Sequence, residues 1–229
     1  MDLQKATGLK ATFDRLAGKN IEVGSFVNIG CGRGDDVGFF LQYWPQMASL
    51  MIDMDPRFLD GWKELARKFA RLKYTVCGAS SEDGVGGFVK SNDVGGALSK
   101  IEGNAEGQHT TPLRRVDTLV KEFEFKPPYF LKFDTHGVEL DILDGCKETL
   151  KNTSLIMMEC YNFKLNFVDR KNLTFDEMSL HMKGLGFRCV DLCDPLYRPD
   201  DLALWQIHMV FIRDDHPLWK HNGYSPPPK

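Results

Sequence analysis

An α/β fold built on a doubly wound, mostly parallel sheet is predicted from three observations. The stretch SFVNIGCGRGDDVGFF, residues 25–40, passes from an apolar run suited to a buried strand, through a glycine-dense turn, into a helix-like apolar face. Apolar strand-length runs then alternate with helix-period segments through residue 160, which implies right-handed crossovers and a parallel sheet. Finally, the residues with chemistry to offer follow the strands. Gly30–Gly34, Asp53, Asp55, Ala79, Ser80, Asp134, His136 and Glu159 all fall at strand carboxyl ends, the edge where open α/β sheets bind ligands.

Each element has its own signal. Leu9, Phe13 and Leu16 give an amphipathic helix within an extension over 1–24, closed by a turn over 18–24. Strand 25–30 leads to a helix over 35–44 that Pro45 stops. Strand 48–52 ends at Asp53-Met54-Asp55-Pro56, and Phe58, Trp62, Leu65, Ala66 and Phe69 mark a helix over 57–70. Strand 72–77 follows. Residues 84–113 are the least regular part, with only 87–90 hinting at a strand, and so long an unpatterned stretch points to function. A helix over 116–123 is placed on an Asp117 cap.

Strand 129–133 ends at Asp134-Thr135-His136-Gly137, a helix spans 139–150, and strand 155–158 ends at Glu159. A helix over 174–185 precedes strands 187–192 and 203–212, which are expected to pair as an antiparallel edge hairpin. The sheet is therefore seven-stranded and Rossmann-like. The main domain spans 25–213, and the proline-rich tail over 214–229 is expected to be flexible.

Composition narrows the class. With 229 residues, 42% hydrophobic and 27% charged, the chain matches a soluble globular protein of one main domain. A net charge of −3 gives no bulk attraction to nucleic acid or anionic membrane, so neither is expected as a partner. The six cysteines form no CxxC pair or zinc-finger spacing, which suits a reduced, cytoplasmic protein. No apolar leader and no run of 18 apolar residues is present in the sequence. Oligomeric state has no signal.

The glycines are spaced G-x-G-x-G. Asp35 stands where a dinucleotide fingerprint would have its third glycine, and two acids follow at once, a poor setting for a pyrophosphate. The segments VNIGCGRG, IDMDPRF, CGASSEDG, RRVDTLV, FLKFDTHGVELDILDGCKETL, IMMEC and LALWQIHMVFI together resemble the FkbM family of S-adenosylmethionine-dependent methyltransferases, over about residues 26–213. The resemblance implies that Gly30, Gly32 and Gly34 pass beneath the methionine and ribose of S-adenosylmethionine. It also implies that Asp55 or Asp53 accepts the ribose hydroxyls, with Asp55 favoured by its place before Pro56, and that Ala79 and Ser80 edge the adenine. Asn28 stands where the family usually has an acid and is assigned to the amino-acid portion. His136 stands where the family often has Gln or Glu.

The implied reaction is methylation of a hydroxyl on a small acceptor, a sugar or a secondary metabolite. In-line methyl transfer depends chiefly on alignment, with a general base adding about 10²–10⁴ in rate. His136, Asp134 and Glu139 are the candidates for that base. His136 has the best-matched ordinary pKa, and its other reading is a helix cap. Asp134 is alternatively a helix N-cap, and Glu139 a capping acid reaching back to its own helix start. A divalent metal is admitted by Asp134, Glu159 and Asn162 but not predicted. The rival readings are an NAD-dependent oxidoreductase, disfavoured by the missing third glycine, and a non-catalytic module that binds cofactor only.

Overall fold

The structure is a computed structural model, and it describes residues 6–89, 97–99, 108–165, 171–221 and 223–225. Strands β1 (Ser25–Ile29), β2 (Ala48–Asp53) and β3 (Leu72–Val76) alternate with helices α1 (Leu9–Ala17), α2 (Asp36–Phe40) and α3 (Leu59–Lys68). Three short strands follow: β4 (Gly78–Ala79), β5 (Gly84–Val89) and β6 (Ala97–Ser99). Next come β7 (Gln108–Arg114), α4 (Val116–Glu122), β8 (Tyr129–Phe133), α5 (Glu139–Asp144) and α6 (Lys147–Lys151). The chain continues through β9 (Thr153–Tyr161), α7 (Phe175–Gly184), β10 (Phe187–Tyr197) and β11 (Leu204–Arg213).

The main sheet has seven strands in the order β10-β11-β9-β8-β1-β2-β3. The five strands from β3 to β9 run parallel, and β11 is antiparallel to both its neighbours. The Rossmann-like expectation therefore holds, with one refinement. The antiparallel hairpin closes one edge as expected, and the order adds a detail: β11, the later strand, pairs with β9, and β10 is the border strand.

Period-two alternation sends side chains to two cores. Val27, Ile29, Leu50, Leu131, Phe133, Ile156 and Met158 pack on one face with α4, α5 and α7. Phe26, Met51, Phe130, Leu155, Met157 and Val210 pack on the other with α1, α2 and α3. Phe13 of α1 sits among Phe40, Phe130 and Trp44 at ring-centroid distances of 4.8, 6.0 and 6.2 Å. The N-terminal helix thus covers the sheet, and Arg15 pairs with Asp191 of β10 at 2.8 Å.

Several boundaries differ from the sequence reading. Residues 84–113 contribute β5 and β7 of a second, four-stranded sheet, order β4-β7-β5-β6, whose glycines and threonines carried little strand signal. The 139–150 helix is broken at Gly145, where a Cβ would meet the Ser80 carbonyl oxygen at 1.9 Å. Asp117 does not cap its own helix. Its carboxylate accepts from the backbone N–H of Glu148 and Thr149 at 3.1 and 2.8 Å, capping α6, while Asp83 accepts from Arg115 N at the start of α4. The segment after 213, expected to be flexible, forms a 3-10 helix at Pro217–Lys220 whose Trp219 ring lies under Arg188 at 4.0 Å and donates to the Arg213 carbonyl. Residues 226–229 of the expected tail lie outside the described residues.

Candidate functional site

Beyond Ile29 the chain turns on three glycines, Gly30, Gly32 and Gly34, with φ of 74°, 50° and 80°. An L side chain is strained there, and at Gly30 it would also be blocked: a Cβ would lie 2.1 Å from the Asp134 carbonyl oxygen. The glycine lets the end of β1 lie against the end of β8. The loop is tied to β2 by Gly30 N and Cys31 N, which both donate to the Ile52 carbonyl, and by Gly32 N, which donates to Asp53 Oδ2 at 2.8 Å.

Asp53 accepts a second backbone bond from Asp55 N at 2.9 Å on Oδ1, leaving a lone pair on each oxygen. Burial pushes its pKa up, against the pull of those two amides. Asp55 is 7% exposed and accepts from Arg57 N and Arg57 Nε at 2.9 and 2.7 Å, so its carboxylate is shared with a guanidinium.

These elements enclose a cavity of about 520 Å³ at the carboxyl ends of β1, β2 and β8, within the size range of small-ligand sites. Ile29, Ile52, Met54, Cys77, Ala79, Val138 and Ile142 give it apolar walls. Its charged lining is one-sided: Asp35, Asp36, Asp53, Asp55 and Asp134 against Arg33. Arg57 beside Asp55 and Lys132 between Asp36 and Asp134 offset part of that charge, and the negative excess that remains suits a cationic, hydroxyl-bearing ligand and repels a pyrophosphate. A methionine-sulfonium nucleoside fits both the volume and this donor set.

Below one end of the cavity lies Lys132, buried on β8, with Nζ 2.5 Å from Asp134 Oδ2 and 2.9 Å from Asp36 Oδ2. Although burial opposes its charge, the two carboxylates push its pKa up to about 12. For Asp134 burial works in the opposite sense, upward, but the Lys132 ammonium outweighs it and holds the carboxyl below its ordinary value. Asn28 Nδ2 donates to Asp36 Oδ2 at 3.3 Å.

His136 lines the cavity wall, and its Nδ1 lies 2.6 Å from Tyr161 Oη and 3.4 Å from Glu159 Oε1. The Tyr161 hydroxyl donates to Glu159 Oε1. A hydroxyl has one proton, so Tyr161 Oη must accept from His136 Nδ1–H, and Nε2 is the proton-accepting nitrogen of the neutral ring. The Glu159 carboxylate raises the His136 pKa despite partial burial, and burial raises that of Tyr161.

The sequence-predicted residues separate into two groups. Gly30, Gly32, Gly34, Asp53, Asp55, Ala79, Asp134 and His136 line one cavity. Asn28, Ser80 and Glu139 are not among its lining residues. Asn28 is fully buried, and Ser80 packs its carbonyl against Gly145. Glu139 Oε1 accepts from Thr135 Oγ1 and Gly137 N, both at 3.0 Å, the capping role that was its alternative reading. Sequence reasoning missed Lys132, Asp36, Tyr161 and His208. The spacing Glu159-x-Tyr161, two positions apart in a run that proves to be strand, was the available signal that both share a face.

The fold and the cavity together define an α/β protein with a ligand-sized cavity at the carboxyl edge of a parallel sheet. The methyltransferase FkbM domain matches residues 13–189, and the chain belongs to this family of S-adenosylmethionine-dependent methyltransferases. A curated relative, the 2-O-methyltransferase NoeI of Sinorhizobium fredii, is 26% identical over 149 residues, covering 58% of this chain and 61% of its own length. Similar solved structures include TrmK of M. capricolum in complex with S-adenosyl-homocysteine (10% identity, TM-score 0.49, 90% of this chain and 69% of that one). Another is Sp1610 of Streptococcus pneumoniae, described as a putative tRNA (m1A22) methyltransferase (8% identity, TM-score 0.49, 88% and 69%). Among the described residues no helix is long and apolar enough to cross a membrane.

Proposed function

We propose that this methyltransferase transfers the methyl group to a hydroxyl oxygen of a small acceptor, a sugar or secondary metabolite. The observation that carries this reading is the chain His136 Nδ1–H to Tyr161 to Glu159 at the cavity wall, which leaves Nε2 of a cavity-lining imidazole as the nitrogen able to take a hydroxyl proton. NoeI, by its name a 2-O-methyltransferase, supports the same atom type. S-adenosylmethionine supplies an electrophilic methyl group on a sulfonium when bound.

The chain's own residues do the rest. Asp53 and Asp55 are placed to accept the ribose hydroxyls. Asp53 has the better claim because each oxygen keeps a lone pair, whereas Arg57 engages Asp55. The apolar walls at Ala79, Val138 and Ile142 hold the adenine and exclude water. His136 Nε2 takes the acceptor's proton, and the imidazolium that results is stabilised by Glu159 through the Tyr161 hydroxyl, the logic of a base oriented by a third group. We assign Asp134, paired with Lys132, to the boundary between cofactor and acceptor.

Calorimetric titration with S-adenosylmethionine and, separately, NAD tests the cofactor. Saturable binding of the first alone, weakened by Asp53→Ala, is expected; binding of NAD would overturn the reading. Turnover against hydroxylated acceptors, with an RNA pool as the competing class, tests the acceptor. His136→Ala should lower kcat by about 10²–10⁴ with cofactor affinity unchanged. Methylation of RNA, or of nitrogen alone, would overturn the oxygen assignment.

A further inference from the structure

Strands β8, β9 and β11 are neighbours, and their register brings three metal-ligating side chains into one row. His208 pairs directly with Glu159 across the antiparallel ladder. Phe133 pairs with Met158 across the parallel one, so the next positions, Asp134 and Glu159, are adjacent as well. Directly opposed residues project from the same face, which here is the face of Phe130, Met157 and Val210. One ligand atom from each of Asp134, Glu159 and His208 lies within 4.8 Å of the others.

Polar satisfaction around this row is incomplete in one place. Lys132 engages Asp134 Oδ2, and Tyr161 and His136 engage Glu159 Oε1. His208 has no such partner. Both its ring nitrogens are shielded from solvent and make no hydrogen bond. Nε2 faces Glu159 Oε2 at 3.8 Å, too far for a hydrogen bond, and the side chain is 14% exposed. A buried imidazole with neither nitrogen satisfied is costly unless something occupies the space in front of it. Charge is unbalanced in the same place. Asp36, Asp134 and Glu159 set three carboxylates against the single Lys132 ammonium, a local excess of two that a dication cancels.

We propose that Asp134, Glu159 and His208 form a binding site for one first-row divalent cation, reached from the cavity through Asp134, the one of the three that lines it. Three points within 4.8 Å of one another share a position within about 2.8 Å of each, so small side-chain rotations reach the 2.0–2.2 Å of nitrogen and oxygen ligands. The imidazole selects manganese, iron, cobalt or zinc over magnesium and calcium, which prefer all-oxygen sites. Two carboxylates and one imidazole leave coordination positions open, as in catalytic rather than structural centres. Tyr161, which donates to the other oxygen of Glu159, orients that ligand from outside and is itself held by His136. A second grouping, Cys193, Asp194 and His208, shares the histidine. It is the weaker one, because Asp194 is exposed and its Oδ1 already accepts from Leu9 N at 3.1 Å. The cation site stands independently of the methyl-transfer reading. Its use to acidify an acceptor hydroxyl rests on that reading.

The test uses the full chain, stripped with EDTA and titrated with Co²⁺ in a non-coordinating buffer, with no cofactor present. One equivalent should bind saturably and give visible d–d bands without a sulfur charge-transfer band. His208→Ala and the near-isosteric Glu159→Gln, each checked for native circular dichroism, should each weaken binding at least about a hundredfold. Absence of saturable binding by the folded wild-type chain would overturn the proposal. So would binding that both variants retain, or a sulfur charge-transfer band, which would put the ion on Cys193. None of these outcomes depends on whether S-adenosylmethionine binds.

Discussion

The two ends of the cavity are built by different means. The end we assign to the cofactor, from Gly30 to Asp55, is made of backbone: left-handed glycines, amides donating to Asp53 and to the Ile52 carbonyl, and a carbonyl taken up by Trp62. The end we assign to the acceptor is walled by Asp134 and His136, which are held by side chains that meet across strands behind them: Lys132, Glu159, Tyr161 and His208. Backbone sites are specified by residues close in sequence, since one turn must hold its own geometry. Side-chain sites are specified by register, which joins residues as far apart as 134 and 208. The first kind of site therefore tolerates no change in shape, and the second tolerates shape changes but no unbalanced charge.

The sharpest way to break this contrast is Gly30→Val. The new side chain would need an unfavourable φ and a Cβ 2.1 Å from the Asp134 carbonyl oxygen, which is backbone and has nowhere to go. We expect a loss of about 3 kcal/mol or more in urea unfolding, together with loss of S-adenosylmethionine binding. A variant of native stability would show that the turn is not fixed by backbone contact.

A change at the acceptor end should act through charge instead. Lys132→Met preserves volume but leaves Asp36 and Asp134 facing each other without their cation, and a loss of about 3 kcal/mol is expected at neutral pH. The pH dependence follows from the depressed folded pKa of Asp134. Its contribution is fully present above the unfolded value and fades as pH falls through the folded one. Wild-type stability, measured in EDTA, should therefore decline as acid is added below about pH 4. The variant should lose that part of the decline, so the two stability curves converge at low pH. Parallel curves would mean that Lys132 acts by packing alone.

The same contrast decides what could be read from the chain in advance. The sheet, its crossovers and the glycine turn were legible because apolar runs and glycine spacing are local signals, and Phe26, Phe130 and Leu131 are buried where that pattern puts them. The positions of Asp53 and His136 on the cavity wall were legible because both residues follow the apolar run of a strand. The reach of β9 through Glu159 to Tyr161 was not, since a glutamate interrupts the apolar run and only its β11 partner keeps the strand going. His208 stands in no motif, and only strand register sets it opposite Glu159. Asn28 and Glu139 were recognised as special but placed in the wrong layer, because a sequence shows that a polar residue ends a strand or opens a helix and not which neighbour satisfies it. The second sheet was missed for lack of β-branched density around Gly84, Gly86 and Gly87.

Not every glycine belongs to the backbone-built class, and the smallest expected effect has the opposite sign. Gly61 lies inside α3 with an ordinary helical φ and nothing within 4 Å of the position a Cβ would take. Its only consequence is the entropy it loses on folding, so Gly61→Ala should stabilise the protein by about 0.5–1 kcal/mol, with cofactor affinity untouched. Urea midpoints for Gly61→Ala and Gly30→Val should therefore move in opposite directions with an unchanged m value. A fall in stability at Gly61 would mean that α3 needs the glycine for something other than its lack of a side chain. The division between glycines that build the site and glycines that merely occupy a helix would then have to be redrawn.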